Sequence, residues 1–140
     1  MFNVCYIAQS GKLMFRMGEG TMFFAATERG VDMLCNAILS SVCDYMEYLI
    51  IKHSMQMERL PEFRQACRRI AACRSGKLEM LEQQLSTFGF AVSPSTYRIE
   101  IQAKKEINNL LFFTKREIER AKKSNMIKQD QQLSLSFSES

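Results

Sequence analysis

One histidine, two prolines and no Cys-x-x-Cys pair appear in 140 residues, and each scarcity narrows what the chain can do. Zinc sites draw on cysteines and histidines that converge from short spacings, and His53 has no cysteine at such a spacing, so no metal or other cofactor is expected. The five cysteines, Cys5, Cys35, Cys43, Cys67 and Cys73, are odd in number and sit inside apolar patterns. That is a poor fit to a secreted disulfide framework and a better one to free thiols serving as small core residues in a reducing cytoplasm. The longest apolar run, Tyr48-Leu49-Ile50-Ile51, stops at Lys52, and the first residues lack the basic start and apolar stretch of a signal peptide. A soluble, unexported, cytoplasmic protein with no membrane association is the expectation.

Enzymatic signatures are also missing. Gly18-Glu19-Gly20 lacks the lysine and helix start that cradle phosphate, and reads as a turn. His53 has Ser54 beside it but no third partner, and the acidic residues define no opposed pair of carboxylates. The chain is therefore expected not to be an enzyme.

What is present is enough apolar content, 46% of residues, for one real core, read as a single domain over 1–124 followed by a tail over 125–140. The runs FNVCYIAQ, LMFRM and TMFFAA, separated by Ser10-Gly11-Lys12 and Gly18-Glu19-Gly20, predict a small N-terminal β-hairpin or three-stranded meander. From Thr27 the period changes: Val31, Leu34, Cys35, Ile38, Leu39, Val42, Tyr45, Met46, Leu49 and Ile50 recur at steps of three and four. They predict an amphipathic helix to about Met55, capped by Thr27 with Glu28 at the positive end. Pro61 suits the first turn of a second helix, read as one element bent at Ser75-Gly76 and ending near Gly89, or as two helices broken at Gly76. Ser93-Pro94 opens a third helix with Tyr97, Ile101, Ile107, Leu110, Leu111, Thr114, Ile118 and Ala121 on one face. Within it Tyr97-Arg98-Ile99-Glu100-Ile101 alternates and could instead pair as a strand. The fold class is mainly α: about three long helices in a bundle with a small β element (α+β), then a disordered C-terminal tail, because the Gln- and Ser-rich end buries too little to offset its ordering entropy.

Net charge is +4, a mild excess that alone implies no nucleic acid. Its distribution is uneven. Arg64, Arg68 and Arg69 cluster on the second helix, and Lys115, Arg116, Lys122 and Lys123 on the third. They are the candidate nucleic-acid contacts, against the simpler reading of solvated faces with i to i+4 pairing to Glu117 and Glu119. Ten methionines, among them Met33, Met46, Met55 and Met57, read as core fillers before they read as an adaptable binding groove.

The tail carries the one motif. Gln132-Leu133-Ser134-Leu135-Ser136-Phe137 resembles the hexapeptide, Gln-Leu-x-Leu-x-Leu/Phe, by which polymerases, repair proteins and a replication regulator bind the bacterial DNA sliding clamp. The resemblance implies that Gln132 is a polar anchor, Leu135 and Phe137 fill an apolar cleft of the clamp, and Leu133 makes a shallower contact. An extended peptide suits this role, since alternate side chains enter pockets while backbone amides hold the register. The function so implied is a non-enzymatic accessory factor of bacterial, phage or plasmid DNA replication or repair, with the clamp as partner and DNA or another replication protein as a further one. The alternatives are a small helical DNA-binding regulator using the basic faces, and a homodimeric protein-interaction adaptor.

Overall fold

The computed structural model describes the backbone of residues 2–138 and the side chains of residues 2–125. Its elements are β1 (Phe2–Ile7), β2 (Lys12–Met17), β3 (Gly20–Ala25), α1 (Glu28–Lys52), α2 (Leu60–Ala71), α3 (Lys77–Thr87) and α4 (Pro94–Ser138), with a 3-10 turn at Met57–Arg59. A mainly helical chain with an N-terminal three-stranded sheet is thus what forms. The disordered tail expected over 125–140 is not what the backbone shows up to Ser138, where α4 continues as helix; Asn125 donates to Ala26 O at 2.9 Å, and the side chains from residue 126 on lie outside those described. The chain groups into two compact units, one of Met1–Val31 with Phe113–Ser140 and one of Asp32–Phe112.

In the first unit the strands form an antiparallel meander in the order β1-β2-β3. The register places Tyr6 beside Leu13 and Leu13 beside Phe24, while Val4 lies beside Phe15. All five are buried, so alternate side chains line one face as a period of two requires. β1 is an edge strand, and its Tyr6 N–H donates at 3.1 Å to the carboxylate of Glu117 on α4. The same carboxylate accepts from Arg120 at 2.9 and 3.0 Å. A buried charge therefore satisfies an edge amide that would otherwise be orphaned.

The start of α1 is as expected: the Thr27 hydroxyl accepts the Gly30 N–H at 3.1 Å, and the Thr27 carbonyl accepts from Val31 at 2.9 Å. Gly30 is a glycine for a reason that composition hides. A Cβ there would lie 2.7 Å from the Ala25 carbonyl carbon, because the first turn of α1 passes directly over the end of β3.

The second unit begins at Asp32. The end of α1 departs from the expected Met55: Ser54 has φ +51°, its N–H donates to Ile51 O at 3.3 Å, and the Met55 N–H donates to Ile50 O at 2.9 Å. These paired bonds are a left-handed C-terminal cap, and Ile50 and Met55, the residues its outer bond joins, are both buried. Serine occupies the position that glycine usually fills, so no stop signal was visible.

Single-helix continuity from Pro61 to Gly89 does not hold. α2 ends at Ala71, Gly76 has φ +71°, and α3 starts after it, which is the broken alternative. The left-handed residue reverses the local chain, and Lys77 then enters the interior, donating to Asn36 at 2.8 Å and pairing with Asp32 at 2.6 Å. α3 does stop before Gly89, but through Phe88 turning extended, φ −86° and ψ 134°, with no left-handed glycine.

Residues 97–101 are helical, which removes the strand alternative. The buried stripe of α4 is rotated from the expected one: Tyr97 and Ile101 are 57% and 46% exposed, while Thr96 and Glu100 are buried at 8% and 4%. Their partners explain the shift. Thr96 Oγ1 accepts the N–H groups of Val92 and Ser93 at 3.0 and 2.9 Å, and Glu100 accepts the Phe90 N–H. An apolar count cannot see a buried polar residue, so it moved the face by one position. From Ala103 through Ile107, Leu110 and Leu111 the expected spacing resumes.

The segment between α3 and α4 is held on every side. Phe88 and Phe90 stack at 6.0 Å and meet Phe63 edge-on at 5.5 and 5.6 Å. Arg59 lies over the Phe88 ring at 5.3 Å and donates to Gly89 O at 3.0 Å, and Lys104 donates to Phe88 O. Methionine use is split: Met46 and Met55 fill the core as expected, whereas Met33 and Met57 are exposed. α1 is long and apolar enough to pass for a membrane span, with a mean hydropathy of 1.3 over its most apolar 18 residues, of which 39% are buried in the protein, and the helix as a whole carries Asp32, Asp44 and Glu47.

Two stability outcomes follow. Ser54→Gly should raise the unfolding free energy by about 0.5–1 kcal/mol, since glycine adopts the left-handed cap without a side-chain penalty. Urea unfolding should show a higher midpoint at unchanged slope. Glu117→Ala strands the Tyr6 amide and should cost about 2 kcal/mol in the same measurement, while Glu117→Gln, which keeps an acceptor, costs less.

Candidate functional site

Because the chain turns back after Ser54, α2 runs antiparallel to α1, and polar residues spaced by three and four on each helix come face to face. From α1 these are Asn36, Ser40, Cys43, Asp44 and Glu47; from α2, Arg64, Cys67 and Arg68. With Leu39 and Ala71 they line a cleft of about 290 Å³. Glu47 sits opposite Arg64 and forms an ion pair with it, with both side chains partly exposed. One turn further along, Cys43 is opposite Cys67.

The neighbouring Cys67 is the largest influence on Cys43, whose pKa is lowered to about 7; burial and Asp44 push the other way, and Arg64 and Arg68 assist the lowering. Cys67 is raised by Cys43 and by burial. Cys35, elsewhere on α1, is raised to about 11, chiefly by burial, with Lys77 opposing. Of these three thiols, Cys43 is the one lowered. Asp44 and Glu47 offset the charges of Arg64 and Arg68, which makes the cleft a poor phosphate site.

The candidate nucleic-acid residues divide. Arg64 and Arg68 meet in the cleft, with Arg64 committed to Glu47; Arg69 is exposed and outside the lining. Lys115, Arg116, Lys122 and Lys123 belong to the first compact unit. Arg116 and Lys123 are exposed there, Lys115 is half-buried, and Lys122 pairs with Glu119 at 3.7 Å. Gln132, Leu133, Leu135 and Phe137 lie outside the residues whose side chains are described. Among the described residues no three His, Cys, Asp or Glu side chains converge as a metal site requires.

Cys43, Asp44 and Glu47 are the site residues that sequence reasoning missed. Their signal was present as a polar stripe, Asn36, Ser40, Cys43 and Glu47, beside the apolar one. Counting Cys43 and Cys67 as small hydrophobes concealed it.

The Arg64 and Glu47 pair is partly exposed, so its contribution is small. Double-mutant analysis with Arg64→Ala and Glu47→Ala should give a coupling below about 1 kcal/mol that declines as salt is raised.

No family model matches the chain, and no curated protein or solved structure matches it.

Proposed function

We propose that the chain is a non-enzymatic accessory factor of bacterial, phage or plasmid DNA replication or repair, recruited in the cytoplasm to the DNA sliding clamp through its C-terminal segment. The observation that carries this reading is the run Gln132-Leu133-Ser134-Leu135-Ser136-Phe137, whose residue types and alternation match a clamp-binding hexapeptide.

In this role Gln132 hydrogen-bonds in a polar subsite, and Leu135 and Phe137 enter an apolar cleft of the clamp. Burying those two side chains contributes roughly 3–5 kcal/mol before the cost of ordering the peptide, so a dissociation constant on the order of micromolar is expected. Tethering then raises the local concentration of the rest of the chain at clamp-loaded DNA. Exposed Arg68, Arg69, Arg116 and Lys123 are the groups that would meet phosphate or a replication protein there.

A peptide of residues 129–140 should bind a bacterial clamp in a calorimetric or anisotropy titration, with Gln132→Ala or Leu135→Ala weakening it at least tenfold. In the full chain the same substitutions should leave the thermal unfolding midpoint unchanged. Absence of binding at high micromolar peptide would refute the proposal.

A further inference from the structure

The two edges of the N-terminal sheet are treated differently. At β1 the outward Tyr6 N–H is taken by the Glu117 carboxylate of α4, so a carboxylate stands where another strand would have to bond. At β3 the direction of the backbone groups follows from one bond. The Ala26 N–H donates to Gly11 O at 3.3 Å, towards β2, and the alternation of antiparallel pairing turns the groups of Gly20, Met22 and Phe24 the same way. Those of Thr21, Phe23 and Ala25 therefore point away from β2. The first turn of α1 covers Ala25, since a Cβ on Gly30 would meet its carbonyl and its nitrogen. Among the described residues no hydrogen bond reaches the backbone of Thr21 or Phe23.

Nothing in β3 protects this edge. The strand holds no proline and no charge, and its pairing with β2 runs from Ala25 to Gly20 without a bulge. Five of its six residues are exposed. Met22 lies beside buried Phe15 on the inner face and is nevertheless 40% exposed, while Phe23, beside Met14 on the outer face, is 56% exposed. The apolar layer thus continues to the β3 edge and ends there uncovered.

We propose that β3 pairs antiparallel with β3 of a second copy of this chain, about a two-fold axis at Met22, to form a six-stranded sheet. The strand is complementary to itself. With Met22 opposite Met22, Thr21 stands opposite Phe23 and Phe23 opposite Thr21, so every open N–H and C=O of both copies is met. The two Met22 residues are then a non-hydrogen-bonded pair, the closer kind, and join the inner faces of the two sheets into one apolar layer. No like charges oppose each other, because Gly20–Phe24 carries none. Glu19 of each turn comes near the start of the other copy's α1, a positive helix end carrying Glu28 and Arg29. Association also ends at two copies. A β3 edge joined to a β1 edge would repeat without closing, and Glu117 occupies that second edge.

Strands this short make a small interface, so the dissociation constant is on the order of 10–100 μM. Sedimentation velocity of the full chain, from about tenfold below to tenfold above that constant, should show monomer giving way to dimer. Over the same range amide hydrogen exchange at Thr21 and Phe23 should slow. Thr21→Pro removes an outward N–H and no bond to β2, so it should raise the dissociation constant at least tenfold and leave the thermal midpoint of the dilute monomer unchanged. Met22→Lys puts like charges on the axis and should also prevent pairing, and mixing it with Met22→Glu should restore a dimer containing one copy of each. If a variant fails to fold, the wild-type exchange at Thr21 and Phe23 still decides. A wild-type chain that stays monomeric throughout, a dimer that Thr21→Pro leaves intact, or exchange at Thr21 and Phe23 that dimer formation does not slow would overturn the proposal.

Discussion

The reversal of the chain at Ser54 determines most of what the second compact unit can do. An amphipathic helix such as α1 has to cover its apolar stripe with something, and the left-handed cap sends the next helix back along it. Once α2 is antiparallel to α1, the pairing of individual positions is set by the rise of the two helices. Glu47 meets Arg64, Cys43 meets Cys67, and the polar flank of the apolar seam becomes a cleft. A different turn would keep both helices amphipathic and lose these partners.

Polar groups placed inside an apolar framework hold the rest. Lys77 at the start of α3 reaches Asp32 and Asn36 on α1; Glu100 on α4 receives the Phe90 amide; Glu117 on the same helix receives the amide of Tyr6. The first and third join segments distant in sequence, the second ties α4 to the loop before it, and each would be costly if left without its partner. Hydrophobic burial supplies the driving force, but it is indifferent to small shifts in register. Directed bonds to single atoms are not, so they select one packing among those of similar apolar area. The buried Tyr6 hydroxyl, which lacks a hydrogen-bond partner among the described residues, contrasts with them.

Legibility in the sequence followed the range of the interaction. The Thr27 cap, the Ser93-Pro94 start of α4, the three strands and the first turn at Pro61 were all readable, because each depends on residues within a few positions. The break at Gly76 was visible as an alternative only, since a glycine's local cost is small and its consequence depends on whether Lys77 finds Asp32. The end of α1 was misread because serine takes a left-handed conformation only when the surrounding packing rewards it. The exposed Tyr97 and Ile101 were misassigned because Thr96 and Glu100 are interior for reasons located at residues 90–93.

By itself, then, the sequence determined the element types, most of their starting points, the apolar stripes apart from the start of α4, and the hexapeptide over 132–137, all of which are matters of periodicity, capping or a short contiguous pattern. Tertiary structure alone decided which polar residues turned inward and which residues from different helices met. Cys43 and Cys67 are 24 positions apart, by subtraction of their numbers, and nothing local to either one implies the other. Only the antiparallel return of α2 places both on the wall of one cleft, together with Arg64 and Arg68.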